Sequence, residues 1–254
     1  MNRPGPAGVY QCFLGQDKDA TPAERQLAAE VLASNPAIRQ MAQDNRRFLG
    51  RAVRYAVGEA GIRQILDIGT GFPTNDNGHQ VARKVAPDVT TVYVDNDKRV
   101  TAHGRAFLDD EKSTHFLYAD VRIPGELQYT TRVQRLLDFD QPIALMLVAV
   151  LHFVEKQDEP YNIVDSLVGA LAPGSLVVIS HALDDESLRP GARTYQRATS
   201  RAVLRTATEV GAFFKGLDVV DPGLVAPNDW RPEQADLVAP LDRVPVLCGI
   251  GRKP

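Results

Sequence analysis

The sequence predicts an α/β fold: a parallel sheet covered by helices on both faces, preceded by a helical segment and closed by an antiparallel pair of strands. Three observations lead there. Between Gln64 and His181, five short apolar runs alternate with amphipathic stretches. The residues before Gln64 carry helical periodicity only, and after Leu217 two strand-like runs follow each other with no helix between them.

The opening segment starts its first clear helix at Thr21-Pro22-Ala23-Glu24. This is a capping box: Thr21 caps, Pro22 suits the first turn, and Glu24 reaches back to the cap. Leu27, Val31 and Leu32 then recur at helical spacing. Pro36 opens a second helix, where Ile38, Met41, Phe48, Leu49, Ala52, Val53 and Ala56 make one apolar stripe that ends near Gly58 or Gly61. Arg46, Arg47, Arg51 and Arg54 are assigned to the wet face of that helix.

Strands are expected at Gln64–Ile68, Thr91–Asp95, His115–Ala119, Ile143–Leu151 and Ser175–His181. Helices are expected between them at about Asn77–Ala86, Lys98–Leu108, Gly125–Leu137 and Pro160–Leu171, the last stopped by Pro173-Gly174. Strands apolar on both faces and separated by helices make a parallel, doubly covered sheet. A final helix near Thr208–Leu217 leads into "LDVVDPGLV", a polar loop through Trp230, and "VPVLCGIGRKP". With no helix long enough for a crossover, those two strands pair antiparallel.

A chain of 254 residues holds one large α/β domain or two small ones. Its 44% hydrophobic and 24% charged residues are ordinary for a soluble protein. A formal charge of −3 gives no general attraction to nucleic acid or anionic membrane. Met1 to Gly8 has no apolar core of a signal peptide, and the longest apolar run, Ile143 to Leu151, is less than half a membrane span. Cys12 and Cys248 match no metal spacing and read as two reduced thiols. The expectation is a cytoplasmic protein that binds neither nucleic acid nor membrane.

In an open parallel sheet, ligands bind beyond the carboxyl ends of the strands where strand order reverses. The first strand normally lies there, which points to the turn in "LDIGTGFPTN". Gly69 and Gly71 let the backbone approach a ligand closely, although a bare strand-to-helix turn has the same need. Asp95 ends the second strand, 28 residues beyond Asp67, where a carboxylate accepts both hydroxyls of a ribose. Asp120, in "YADVR", ends the third and is placed to receive an exocyclic amine such as that of adenine. The dinucleotide fingerprint needs a third glycine where Thr74 stands, and an ionised Asp67 would repel a pyrophosphate. An acid at that point suits a nucleoside with a positive end, as in S-adenosylmethionine. Pro73 stiffens the turn and donates no N–H, which a methionine tail tolerates better than a phosphate does.

These residues resemble a class I S-adenosylmethionine-dependent methyltransferase, whose first motif reads acid-x-G-x-G-x-G. Here it stands as Asp67-Ile68-Gly69-Thr70-Gly71-Phe72-Pro73, with the third glycine replaced. More closely, the chain resembles an actinobacterial methyltransferase family of largely unassigned substrate. The matching stretches are "FLG" after Tyr10, "NRRFLGRAVRYAV", "LDIGTGFPT", "VYVDND", "LVAVLHFV", "VISHA" and "GIGRKP". The resemblance implies a Rossmann-like, seven-stranded, mostly parallel sheet with an antiparallel C-terminal hairpin. It also implies that Gly69, Gly71 and Pro73 wrap the methionine part of the cofactor and that Asp67 holds its ammonium. Asp95, with Asn96 beside it, would take the ribose, and Asp120 with Val121 the adenine. Residues 1–60 would form a helical arm and cap, and 61–254 the cofactor-binding domain, with a lid inserted at about 184–204.

His152 follows strand four and His181 ends strand five, so neighbouring strands would make them neighbours. His152 is the candidate base for a hydroxyl or protonated-amine acceptor. His181 reads as a packed or cofactor-contacting imidazole, and His79 as a solvent-facing helix residue. His152, His181, Asp184 and Asp185 lack a metal-site spacing, so no metal is expected. Tyr10, Tyr195 and Arg197 are the candidate lid residues over the acceptor.

The expected function is methyl transfer to a small-molecule acceptor. The alternative is a catalytically inactive protein that only binds the cofactor, prompted by the altered first motif. A nicotinamide-dependent reductase conflicts with Asp67, Thr74 and the terminal hairpin. A nucleic-acid methyltransferase conflicts with the acidic balance and with "AVLHFV", which lacks an N-P-P-Y-type motif. The oligomeric state stays open between monomer and homodimer.

Overall fold

The computed structural model describes residues 3–74, 76–110, 112–125, 131–233 and 244–254. The apolar runs form strands β1 (Gln64–Ile68), β2 (Thr90–Asp95), β3 (Thr114–Tyr118), β4 (Ala144–Val148) and β5 (Leu176–Ala182). They are joined by β6 (Asp218–Val219) and β7 (Val246–Arg252) in one seven-stranded sheet of order β3-β2-β1-β4-β5-β7-β6. β1 to β5 are mutually parallel, while β7 runs antiparallel to both β5 and β6. The terminal pair is unequal: β7 completes the buried sheet beside β5 over seven register positions, and β6 adds two residues at its edge.

β4 stops three residues short of the expected Leu151. Ala149 takes a positive φ of 57°, an uncommon conformation for a residue with a Cβ. Its N–H is held by the Ser180 Oγ at 3.0 Å, and the chain turns into a 3₁₀ segment over Leu151–Phe153. The turn carries Val150 over Gly69 at the end of β1 and sets the His152 ring against His181 of β5.

Helices α1 (Pro6–Phe13), α2 (Pro22–Ser34) and α3 (Ala37–Arg54) precede the sheet, and α2 opens with the capping box of Thr21 and Glu24. α4 (Gly78–Val85), α5 (Lys98–Phe107) and a helix over Pro160–Ala170 occupy the expected connections. Of the helix expected over Gly125–Leu137, Thr131–Leu136 is helical, and residues 126–130 lie outside the described residues. The last expected helix is short, α-helical over Ala207–Gly211 and 3₁₀ over Ala212–Phe214.

One face of the sheet packs Leu66, Val92, Leu145 and Val177 against Ile163, Val164 and Leu167. The other packs Ile65, Met146 and Val178 against Phe48, Ala52 and Val53 of α3 and Val81 and Ala82 of α4. A third cluster joins α1, α2 and the start of α3 to Leu188, Tyr195 and Ala198. α3 therefore serves two cores, its first half under the arm and its second half on the sheet. No described helix is long and apolar enough to cross a membrane.

The wet-face assignment fails for Arg51, which is 3% exposed. The segment Pro227–Trp230 folds over the outer side of α3, and Arg51 donates to the carbonyl oxygens of Trp230 at 2.9 Å and Pro227 at 2.5 Å. Trp230 is itself fully buried, edge-on to Phe48 and Tyr55. Arg51→Met would strand those two buried carbonyls and should cost about 2 kcal/mol. Chemical denaturation reads this directly, and a change below about 0.5 kcal/mol would show that water replaces the guanidinium there. His79 also departs from expectation: it is buried, and Tyr93 Oη accepts its backbone N–H at 2.7 Å and lies 2.9 Å from its Nδ1. Burial, with Arg83 nearby, pushes the His79 pKa down to about 4, so the ring is neutral.

Candidate active site

A cleft of about 470 Å³ opens at the carboxyl ends of the parallel strands, where the order reverses between β1 and β4. Gly69 follows β1 with φ 74°, and a Cβ there would lie 2.4 Å from Val150 Cγ2. Only glycine fits, because the backbone must take a left-handed turn beneath the side chain that follows β4. Gly71 also has a positive φ, 69°, and its N–H donates to Asp95 Oδ2 at 2.8 Å. The other Asp95 oxygen accepts the N–H of Asp97 at 2.8 Å. One carboxylate thus ties the loop after β1 to the loop after β2.

Asp67 and Asp95 are both buried in the cleft wall, 6% and 7% exposed. Burial raises the Asp67 carboxyl to about 7, with Arg46 opposing and Asp95 adding to the rise. Burial likewise lifts Asp95 to about 6 against the three backbone N–H groups, of Asp97, Gly71 and Asn96, that stabilise its charge. Two adjacent desolvated acids form a site that a cation and hydrogen-bond donors would relieve. Arg46 reaches the same cleft from α3, and its Nη2 donates to Thr74 Oγ1 at 2.8 Å.

Asn96, Asp120 and Val121 complete the far wall. Burial alone would raise the Asp120 carboxyl, but Arg122 holds it below the usual carboxylate range. Oδ1 accepts from Arg122 N and Nε at 3.0 and 2.9 Å, while Oδ2 takes Arg122 Nη2 and, at 3.1 Å, Asn96 Nδ2. Its four acceptor positions are already taken.

Of the cofactor residues expected from sequence, Asp67, Gly69, Gly71, Asp95, Asn96, Asp120 and Val121 therefore meet around one cleft, and Pro73 does not line it. The chain leaves the cleft after Gly71 because Phe72 is buried beneath the Arg99 guanidinium, 5.4 Å from the ring centre. Thr74, beyond the proline, then returns to contact Arg46.

The arm roofs this cleft. Arg3, Gly5, Pro6, Ala7 and Tyr10 line it, as do Thr199 and Ser200 from the far segment. The Thr199 N–H donates to the Pro4 carbonyl at 2.9 Å, joining the two covers. Glu24, 1% exposed, accepts from Gly5 N at 3.0 Å and Thr21 N at 2.7 Å and pairs with Arg99 at 2.5 Å. A residue expected to cap a helix also locks the arm to the start of α5.

A second, smaller chamber adjoins the cleft behind Tyr10 and Phe153, and it holds His152, His181 and Tyr195. Arg197 lines neither space; it is exposed and paired with Glu30. The histidines are neighbours, 5.5 Å between ring centres. His181 is fully satisfied: Nδ1 lies 2.7 Å from the Ala182 carbonyl and Nε2 2.7 Å from Arg205 Nη1. That guanidinium must donate, so His181 carries its proton on Nδ1. Burial lowers both histidines below their ordinary range. Among the described residues no group of three or more His, Cys, Asp or Glu is arranged to hold a metal ion.

Sequence reasoning missed Asn45, Arg46, Glu24, Arg99, Arg122 and Arg205. A signal for two of them existed: Ile38, Met41, Ala42, Asn45, Arg46 and Leu49 share one helical face, and polar residues interrupt a stripe otherwise apolar. Arg205, 2% exposed, bonds the carbonyls of Leu151 and Val154 at 2.9 and 2.8 Å, contacts no local pattern announces.

The family model described as S-adenosyl methyltransferase matches residues 1–254. A candidate methyltransferase from Thermobifida fusca YX superposes with a TM-score of 0.91 at 37% identity, covering 99% of this chain and 95% of its own. A DUF574 family protein from Streptomyces avermitilis MA-4680 gives 0.94 at 33% identity, with 99% and 98% coverage. The N-methyltransferase NodS of Bradyrhizobium japonicum WM9, solved with S-adenosyl-L-homocysteine, matches at 0.52 and 18% identity over 97% of this chain and 99% of its own, a likeness of fold alone. No curated protein matches. With a class I sheet, an acid-led two-glycine turn at its reversal point and a family match along its whole length, the chain belongs to the S-adenosyl methyltransferase family and uses S-adenosyl-L-methionine.

Proposed function

We propose that this methyltransferase acts on a small-molecule acceptor, within a cleft whose residues divide the cofactor among them. The observation that carries the size of the acceptor is the roof: α1 and the Thr199–Ser200 segment close over the cleft and are bonded to each other. A polymer would need that face open. S-adenosylmethionine supplies a methyl group on a sulfonium, ready for direct displacement.

The chain's own groups bind and orient. Asp95 accepts the backbone N–H groups of Gly71 on one oxygen and Asp97 on the other, with the Asn96 N–H also beside it, and its remaining acceptor capacity faces the ribose hydroxyls. Asp67 faces the ammonium, and Gly69 and Gly71 allow close backbone approach. Arg46, across the cleft from the strand ends, faces the carboxylate of the methionine part. For the adenine amine, Asp120 exchanges its bond from Asn96, the one uncharged side chain among its donors. Val150, Phe153 and Leu49 line the interior and exclude water from the transferring group.

Arg46→Ala should weaken S-adenosylhomocysteine about tenfold, a charge-assisted contact of roughly 1.5 kcal/mol, and leave adenosine unchanged. Calorimetric titration with both ligands tests it. Equal loss for both would place Arg46 at the nucleoside end, and no loss would remove it from the site. An acceptor screen with labelled methyl groups tests the wider reading: turnover confined to nucleic acid or protein would overturn it.

A further inference from the structure

The second chamber has walls unlike those of the cleft. Phe13, Ile38, Met41, Leu188, Tyr195 and Leu204 surround a space of about 110 Å³. This is smaller than the apolar cavities of roughly 150 Å³ that admit benzene, so the space suits a short branched alkyl group or one aromatic ring whose edge reaches into the mouth. Tyr10, Asn45, Ala149 and Phe153 line both spaces and form the mouth between them.

The polar atoms at that mouth are already committed to one another. Ser180 Oγ accepts from Ala149 N at 3.0 Å and donates to Asn45 Oδ1 at 2.6 Å. Asn45 Nδ2 donates to Tyr10 Oη at 2.9 Å, and that hydroxyl donates to the Ala42 carbonyl at 3.2 Å. The chain of donors runs one way, from the Ala149 N–H to the Ala42 carbonyl, and leaves none of these donors free. One atom is left over: His152 Nδ1 is buried without a hydrogen-bond partner, alone in this among the described side-chain atoms lining either space. Leaving a buried polar atom unpaired is costly, and such exceptions concentrate where a ligand completes the bonding.

We propose that the chamber is the acceptor site and selects an uncharged molecule with an apolar ring or branched alkyl body and one hydroxyl, which donates to His152 Nδ1. The inference rests on the cofactor occupying the cleft as proposed above. The body fills the chamber, and the hydroxyl oxygen sits at the mouth, facing the cleft. In transfer, that oxygen forms a bond to the methyl carbon as the carbon–sulfur bond breaks, and the bonding pair stays on sulfur, which becomes neutral. The hydroxyl proton passes to His152 Nδ1 and then to solvent. A neutral imidazole suffices, because a methylated oxygen still bearing its proton is far more acidic than an imidazolium. A charged acceptor would be stranded among apolar walls with no counter-ion.

The test uses the full chain saturated with S-adenosylhomocysteine and titrated calorimetrically with 4-methylphenol, toluene and 4-hydroxybenzoate. The first should bind at least tenfold more tightly than toluene, and 4-hydroxybenzoate should not bind. His152→Phe should remove the preference for 4-methylphenol over toluene, and Ala202→Phe, which fills the chamber, should abolish both. Both variants should keep wild-type affinity for S-adenosylhomocysteine, which also reports that they fold. Equal binding of toluene and 4-methylphenol, tighter binding of 4-hydroxybenzoate, or 4-methylphenol binding unchanged in Ala202→Phe would each overturn the proposal. Failure of S-adenosylhomocysteine to bind the wild-type chain would instead strike the cleft assignment beneath it.

Discussion

Asp95→Ala is expected to lower affinity for S-adenosylhomocysteine at least 100-fold, roughly 3 kcal/mol, and to lower adenosine affinity as much. The carboxylate serves three structures at once: the turn after β1 through Gly71 N, the loop after β2 through Asp97 N, and the pair of ribose hydroxyls it is proposed to accept. Hydrogen bonds to a charged group contribute about 1.5–3 kcal/mol each, and truncation also strands two part-buried N–H groups. Asp95→Asn is the sharper variant. It keeps shape and volume, but its amide nitrogen must face one of those N–H groups, donor to donor. Affinity within about threefold of wild type in a variant whose thermal unfolding is unchanged would refute the ribose assignment.

The legible part of this molecule was the part ruled by periodicity. β1 stands where its apolar run stands, and the four other parallel strands lie within one residue at their starting ends. Strands buried on both faces leave little freedom, since every residue is apolar and the flanking helices fix the direction. The end of β4 was not legible, because it is decided by the positive φ at Ala149 and the Ser180 hydroxyl that secures it, two facts separated by 31 residues of chain. The wet-face assignment on α3 failed at Arg51 for a related reason. A helical stripe shows which side meets the first partner, and says nothing of a loop such as Pro227–Trp230 that later covers the other side.

The site followed the same division. Acids at strand ends beside a glycine turn are local, and the sheet brings them together by topology alone, as Asp67, Asp95 and Asp120 show. Pro73 lies off the cleft wall because Phe72 finds its burial under Arg99 and draws the loop away, which a motif read along the chain does not show. Glu24 and Arg205 were invisible for opposite reasons. Glu24 had a sufficient local role as half of a capping box, while Arg205 has no local role and acts through distant groups, the carbonyls of Leu151 and Val154 and the His181 ring.

Cofactor affinity should fall at least about 20-fold between pH 7.5 and pH 5.5, and Asp67→Asn should be weak and keep only the shallower fall, about fourfold, that Asp95 contributes with its carboxyl at about 6. Burial holds the Asp67 carboxyl at about 7 in the folded chain, against 3.8 without the fold. An ammonium beside it requires the ionised form, so below pH 7 each binding event must first expel a proton, and affinity drops by up to tenfold per unit. The same shift has an opposite consequence for stability. Because the folded pKa lies above the unfolded one, between about pH 4 and 7 the folded chain keeps a proton that the unfolded chain has lost. Stability therefore declines as pH rises through that window, and the deficit is complete above 7, reaching at most about 4 kcal/mol at 1.36 kcal/mol per pH unit of separation. Asp67→Asn removes the charge that causes it, so this variant should gain thermal stability at pH 7.5, gain little at pH 4, and lose cofactor at both. Calorimetry in two buffers of different ionisation enthalpy counts the proton released on binding at pH 6. An affinity that stays level from pH 7.5 to 5.5, or an Asp67→Asn chain less stable than wild type at pH 7.5, would mean that the carboxylate is already ionised and paired without the cofactor. Arg46, the one cation among the groups that act on it, would then be its partner and not the carboxylate anchor, so the two arginine and aspartate variants judge each other.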